Sequence, residues 1–95
     1  MTATLRVQPP AELDIATAET LLDQVRTALV EQPAAIVVDL AGVTFCDSSG
    51  IGALMDAQAI AASAGVPLHA TAARPAIRRS LEITGVLGLL TPAAA

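Results

Sequence analysis

Apolar residues recur along the 95-residue chain with two periods, one typical of strands and one typical of helices. Residues 4–8 alternate weakly between apolar and polar, which predicts a strand with one buried side. Pro9 and Pro10 end it, because neither has a backbone N–H to donate. A helix is predicted over residues 16–31, with Pro33 just past its end and Asp14 or Thr17 available as its cap. Its apolar face comprises Ala18, Leu21, Leu22, Val25, Ala28 and Leu29.

The middle of the chain predicts a buried strand followed directly by a second helix. Residues 36–40 are apolar except at their end, a pattern that favours a strand covered on both faces. The second helix is predicted to begin with Ser48 or Ser49 as its cap and to stop at Gly65. Gly52 lies inside this helix, where glycine is unfavourable, and therefore suggests close backbone approach to the sheet or to a partner.

The last third of the chain adds a short strand over residues 66–70, a helix from Pro75 to about Gly85 and a final extended stretch over residues 87–91. Strands that alternate with helices predict one α/β domain over residues 1–95, with a mostly parallel sheet. Ile36, Val37 and Val38 should be central in the sheet. The helices should pack on it through Leu21, Leu22, Val25, Leu54, Met55, Ile77 and Leu81.

Composition narrows the possible functions. Apolar residues make up 54% of the chain but Phe45 is the only aromatic, so a thin aliphatic core is expected instead of a large ligand cavity. The net charge is −4, and the basic stripe with stacking aromatics that nucleic-acid binders usually carry is missing. Arg74, Arg78 and Arg79 form the only basic cluster, which we interpret as the solvated face of a short helix.

Cys46 is the only cysteine, so no internal disulfide can form, which fits a reducing compartment. We expect it to be an inert, partly buried thiol and not a redox sensor. No signal peptide is visible, and the longest apolar stretch, residues 50–65, is too short to span a bilayer and contains polar residues. A soluble, cytoplasmic protein without membrane insertion is expected.

The strongest candidate site is Asp47-Ser48-Ser49-Gly50, at the junction of the predicted central strand region and the second helix. Unpaired backbone N–H groups at a helix start favour an anion, and a hydroxyl there can become a phosphate acceptor. Asp47 has two candidate roles: it holds the loop by accepting backbone hydrogen bonds, which we favour, or it helps a kinase orient the Ser48 hydroxyl.

Other chemistry finds little support in the sequence. His69 has no metal ligands at suitable spacing, and Asp39 is interpreted as a solvated carboxylate or a loop acceptor. The sequence contains no nucleophile–base pair and no glycine-rich phosphate loop. We therefore expect a protein that is not an enzyme, with no metal, no cofactor and no catalytic residues of its own.

Three stretches of the chain match motifs of one known family. They are Asp47-Ser48-Ser49-Gly50, Ala11-Glu12-Leu13-Asp14 followed by Thr17-Ala18, and Arg74-Pro75-Ala76-Ile77-Arg78-Arg79-Ser80-Leu81 followed by Thr84-Gly85-Val86. With alanine at position 11 where the family has glycine, the chain resembles the STAS domains over residues 5–90, and among them the bacterial anti-sigma factor antagonists.

The resemblance implies a four- to five-stranded mixed, mostly parallel sheet with three helices packed on it, here shortened at both ends. It also implies that an anti-sigma factor, itself a serine kinase, binds the unphosphorylated protein and phosphorylates Ser48, which releases it and so regulates sigma-factor-dependent transcription. The shortened ends would leave a sheet edge exposed, through which a homodimer could form. The residues expected to bind the partner are Asp47, Ser48, Ser49, Gly50, Gly52, Ala53 and Asp56.

A second function is compatible with the same resemblance. The chain is also similar to the small cytoplasmic STAS subunit of bacterial lipid-transport ABC complexes, whose short length it shares. Those subunits typically carry threonine and glycine after the aspartate, whereas this chain has Ser48 and Ser49. Identification of the bound partner, as a kinase or as a transporter ATPase, separates the two functions.

Overall fold

A computed structural model describes residues 3–91, so residues 1–2 and 92–95 lie outside the described residues. The strands are β1 (Thr4–Val7), β2 (Glu12–Leu13), β3 (Ala35–Asp39), β4 (Phe45–Cys46) and β5 (Leu68–Thr71). The helices are α1 (Ala18–Val30), α2 (Ser48–Ser63), α3 (Pro75–Ile83) and α4 (Leu87–Leu90).

The strands form two small parallel sheets. Three strands pair in the order β1-β3-β5, with Leu5 beside Ile36 and Ile36 beside Leu68. The other sheet pairs β2 with β4. The predicted α/β architecture with mostly parallel strands is therefore confirmed. Strands β2 and β4 are absent from the prediction because two residues are too few to establish a period of two.

The helices that contact the larger sheet lie on one of its faces. Helix α1 contacts β1, α2 and α4 contact β5, and α2 also contacts both α1 and α4. Along β3, Ile36 and Val38 are fully buried under these helices, whereas Val37 and Asp39 point the other way and are only half-buried. The prediction of a central strand covered on both faces is wrong, and Val37 is not part of the core.

The predicted packing faces of the helices are correct except at one position. Leu21, Leu22, Val25, Leu54, Ile77 and Leu81 are all buried. Met55 was expected to join them, but its side chain is 42% exposed. Helix α2 is apolar on almost every side, so its sequence gives no polar face by which to orient it. The buried stripe of α2 consists of Gly50, Ala53, Leu54, Ala57 and Ala61.

Two predicted boundaries need correction. Residues 87–91 were expected to be extended, but Leu87–Leu90 form α4, a single helical turn whose Leu90 is buried. A four-residue helix is too short to show a helical period. Helix α1 begins at Ala18, because Asp14 and Thr17 form a turn before it: the Asp14 carboxylate accepts hydrogen bonds from the N–H groups of Ala16 and Thr17.

Leu54→Ala should lower the free energy of unfolding by about 2–5 kcal/mol, because Leu54 is fully buried and its truncation leaves a cavity. Urea unfolding measures the change. Met55→Ala is the matched control, since the neighbouring side chain is exposed and its loss should change stability by less than about 0.5 kcal/mol. Equal destabilisation by the two substitutions would contradict the orientation of α2.

Candidate functional site

The candidate site is the start of helix α2, which the second sheet holds in place. Strand β4 pairs with β2, and immediately after β4 the Asp47 N–H donates a hydrogen bond to the Leu13 carbonyl oxygen at 3.2 Å. The chain then turns into α2 at Ser48. The beginning of the helix is therefore fixed to β2 by backbone hydrogen bonds.

Asp47 is the N-cap of α2. Its Oδ1 accepts hydrogen bonds from the backbone N–H groups of Ser49 at 2.9 Å and Gly50 at 3.1 Å. The expectation that Ser48 or Ser49 caps the helix is wrong, because the carboxylate one position earlier already accepts from the N–H groups that a capping hydroxyl would have satisfied. The structure agrees with the favoured interpretation of Asp47 as the residue that holds the loop.

Ser48 and Ser49 are the first two residues of the helix. Ser48 is exposed and Ser49 is half-buried. Within residues 3–91, neither hydroxyl takes part in a hydrogen bond. Because Asp47 does the capping, the exposed Ser48 hydroxyl has no structural task that a modification would disturb.

The close backbone contact of this helix is at Gly50 and not at Gly52. A Cβ added to Gly50 would collide with the Leu13 carbonyl oxygen, and would lie 2.7 Å from Leu13 Cβ and 2.8 Å from Cys46 Sγ. Nothing lies within 4 Å of a Cβ added to Gly52, so the suggested approach of Gly52 to the sheet is wrong. Gly50 and Ala53 were both expected to bind the partner. They are instead buried in the packing of α2 and do not face a partner.

The exposed side of α2 starts at Ser48 and continues along the helix. Its residues recur every three or four positions, as required for neighbours on one helix face. We call this face the α2 surface, and it consists of the exposed residues Ser48, Met55, Asp56 and Ala59 and the half-buried Gly52 between them. Met55 supplies a large apolar side chain there, although the pattern of the sequence predicts it in the core. Asp56, the only charged residue of α2, marks this face as exposed.

Cys46 lies at the end of β4, next to the site. Burial, and secondarily the charge of Asp47, raise the pKa of its thiol to about 11. Thiolates are the reactive form of cysteine, so this thiol is poorly reactive at neutral pH, in agreement with the expected inert thiol. The folded state holds the thiol proton more tightly than the unfolded state does. The resulting stabilisation of the folded state is fully present below the pKa that the thiol has in the unfolded state. It is lost as the pH rises through about 11, the pKa of the thiol in the folded state.

Alkylation of Cys46 at pH 8 should be on the order of 100-fold slower in the folded protein than in urea, because far less thiolate is present when the pKa is about 11 than at its ordinary value. Mass spectrometry after timed quenching of an iodoacetamide reaction gives both rates. Equal rates in the two conditions would show that the thiol is neither buried nor perturbed.

Asp39 organises the loop after β3. Its carboxylate accepts a hydrogen bond from the Ala41 N–H at 3.0 Å and forms an ion pair with Arg6 at 3.0 Å. The hydrogen bond from Ala41 is the main cause that lowers the Asp39 pKa. Arg74 donates from Nε to the Ala41 carbonyl oxygen, which joins α3 to the same loop. Asp39 is thus a loop acceptor, one of the two roles considered for it.

The other candidate residues contribute no second site. Arg78 pairs with Glu82 on the exposed side of α3, and Arg79 is exposed beside it. His69 lies on β5, and residues 3–91 contain no group of three His, Cys, Asp or Glu side chains arranged to hold a metal ion. Within the described part of the chain, no helix is long and apolar enough to cross a membrane.

Together the parallel strands, the helices on one face and the Asp47-capped start of α2 define a STAS-type α/β domain. The family model described as "Mlab, STAS domain" matches residues 3–91, and the chain therefore belongs to this STAS family. A comparison with curated proteins found no match.

A solved structure, that of a sulfate transporter family protein from Wolinella succinogenes, has the same fold. The two superpose with a TM-score of 0.79 at 18% sequence identity, over 92% of this chain and 70% of that chain. At this identity the likeness extends to the fold alone.

Proposed function

We propose that this chain is an anti-sigma factor antagonist: a cytoplasmic protein-binding module, without enzymatic activity, that an anti-sigma factor kinase binds and phosphorylates at Ser48. The observation that carries the proposal is the exposure of the Ser48 hydroxyl on a helix start that Asp47 already caps. A kinase can reach this hydroxyl without breaking any hydrogen bond of the cap.

The α2 surface supplies the rest of the proposed contact. Met55 offers a half-exposed apolar side chain, and Gly52 lets a partner approach the helix backbone closely because nothing occupies the space around it. Exposed methionine suits a protein contact, since its flexible side chain adapts to irregular surfaces. The surface is small and matches a transient regulatory contact better than an obligate one.

Phosphorylation would change the charge of this contact. A phosphoserine carries a charge of about −1.5 to −2 at neutral pH. At position 48 it would lie next to Asp47 and on the same helix face as Asp56, in a chain whose net charge is already −4. A partner that accommodates the neutral hydroxyl would then face concentrated negative charge, and binding would weaken. The kinase chemistry belongs to the partner, and this chain supplies the acceptor hydroxyl.

A second candidate function is that of a small STAS subunit of a lipid-transport ABC complex. The family description "Mlab, STAS domain" favours it. In that function the α2 surface would bind a transporter ATPase constitutively, and Ser48 would remain an ordinary surface hydroxyl.

Affinity capture from a lysate of the encoding organism separates the two functions. The tagged protein should retain an ATP-binding kinase, identified by mass spectrometry, and Met55→Glu should lose it because the substitution puts a charge at the centre of the α2 surface. Ile83→Glu is the matched control: this α3 side chain is also exposed, at 74%, but lies outside that surface. Retention of an ABC transporter ATPase would establish the second function, and capture that survives Met55→Glu would exclude the α2 surface.

A further inference from the structure

Ile15 has the most exposed large apolar side chain of residues 3–91, with 84% of its surface accessible. It lies in the turn between β2 and α1 and does not pack against the core of the described chain. A hydrophobic staple at the start of α1 would join Leu21 to the residue before the Thr17 N-cap, and that residue is Ala16. The local structure therefore gives no reason for an isoleucine at position 15.

The topology places Ile15 at the same end of the molecule as Ser48. Strands β2 and β4 are parallel neighbours in which Leu13 pairs with Cys46, and paired backbones in a sheet lie about 5 Å apart. Ile15 follows Leu13 by two positions and Ser48 follows Cys46 by two, so each lies just beyond the carboxyl end of its strand. Helices α1 and α2 begin at this end and pack side by side. The Ile15 turn and the start of α2 are therefore adjacent.

Hydrogen bonds on both sides of Ile15 hold the turn in one shape. The Asp14 carboxylate accepts from the N–H groups of Ala16 at 3.0 Å and Thr17 at 3.2 Å. The Thr17 hydroxyl donates to the Glu12 carbonyl oxygen at 2.6 Å. The isoleucine side chain is itself stiff, because it is branched at Cβ. A partner that binds Ile15 would therefore have little motion to arrest, which lowers the entropic cost of the contact.

We propose that Ile15 is an apolar anchor for the kinase that phosphorylates Ser48, and that it fills an apolar pocket of the kinase beside the ATP site. A kinase that brings ATP to the Ser48 hydroxyl must cover the surface around that hydroxyl. Even a small interface covers about 600 Å² of each partner, which corresponds to a disc with a radius of about 14 Å, and the Ile15 turn lies inside this distance.

The anchor would complete the contact made by the α2 surface. Met55 lies two turns along α2 from Ser48, whereas Ile15 lies beside Ser48 at the start of α1, so the two apolar side chains would hold the kinase on two sides of the acceptor hydroxyl. A few buried apolar anchors carry most of the binding energy of a typical interface. The inference rests on the proposed function, and it adds a residue by which the kinase recognises this chain.

The kinetics of Ser48 phosphorylation by the cognate anti-sigma factor and ATP test the anchor. Ile15→Ala should raise the KM for this protein at least about tenfold and leave kcat within about threefold, because the contact is the same before and during phosphate transfer. Ile15→Leu, which keeps an apolar side chain of the same size, should have a KM within about threefold of the wild type.

Val30→Ala is the matched control. The Val30 side chain is also exposed, at 81%, but it lies at the far end of α1, about 18 Å from the start of the helix. Its truncation should leave both KM and kcat unchanged. Melting curves of the variants should match that of the wild type, and an Ile15→Ala variant that unfolds would show a structural residue and contradict the anchor.

The outcomes separate the inference from the proposed function. If the wild type is phosphorylated on Ser48 and the KM of Ile15→Ala stays within about twofold of it, the anchor is wrong and the proposed function stands. Equal increases of KM for Ile15→Ala and Val30→Ala would also overturn the anchor alone. A wild-type protein that gains no phosphate on Ser48 would contradict the proposed function, and the inference with it.

Discussion

Gly50→Ala should destabilise the protein by about 3 kcal/mol or more, the largest effect we expect from a single methyl group in this chain. The added Cβ would collide with the Leu13 carbonyl oxygen and press on Cys46 Sγ. The backbone of β2 cannot move away, because its hydrogen bonds to β4 and to Asp47 fix it. Urea unfolding followed by circular dichroism measures the loss.

Gly52→Ala is the matched control in the same helix. Its added methyl group would meet nothing within 4 Å, so only the helix propensity changes, and stability should rise by about 0.5–1 kcal/mol. The two substitutions add the same group two residues apart and should have opposite signs. A gain at Gly50, or a large loss at Gly52, would show that α2 is rotated relative to the sheet.

Ser48→Glu should weaken binding to the anti-sigma factor at least tenfold, whereas Ser48→Ala should bind within about threefold of the wild type. Glutamate adds a negative charge beside Asp47 at the start of the α2 surface, and alanine leaves the loop backbone unchanged because Ser48 does not cap the helix. Both variants should melt close to the wild type, since a helix start tolerates an anion. Calorimetric titration and melting curves measure the two properties separately.

A Ser48→Glu variant that remains folded and binds as tightly as the wild type would contradict the phosphorylation switch. The constitutive transporter-subunit function would then gain support. Glutamate should reproduce the effect of phosphate only in part, because it carries less charge and fewer acceptor oxygens.

The elements with a marked polar face were predictable from the sequence. Helix α1 alternates charged residues such as Asp23 and Arg26 with buried leucines, so its period identifies its packing face, and its ends to within two residues. Strand β3 was found from its β-branched run, but a continuous apolar run does not show which side a helix covers. Val37 was misplaced for this reason.

Helix α2 has too few polar residues for its hydrophobic periodicity to indicate which face is buried. Its small and apolar residues occur on nearly every side, so Met55 next to Leu54 carries no signal of being exposed. Its orientation is decided by tertiary packing, with α1 and α4 on either side and β5 below. The short elements β2, β4 and α4 depend on the same packing and were predicted either as loop or with the wrong conformation.

At the candidate site the sequence predicted the motif, but it did not predict which residue of the motif caps the helix and which glycine packs closely. The sequence predicted Ser48 or Ser49 as the cap and Asp47 as a loop acceptor, and only the loop geometry places the carboxylate of Asp47 within reach of the N–H groups of Ser49 and Gly50. Similarly, only Gly52 was predicted to make a close contact, whereas the position of Leu13 determines that Gly50 makes it. Contacts across 30 or more residues cannot be read from local spacing.

The most direct test of the account is the site of phosphorylation. The protein is incubated with its cognate anti-sigma factor and ATP, and its peptides are mapped by mass spectrometry. We predict one phosphate, on Ser48, the exposed hydroxyl of the pair, with none on Ser48→Ala and undiminished phosphorylation of Ser49→Ala. A phosphate on Ser49, or none on the wild-type protein, would contradict the account.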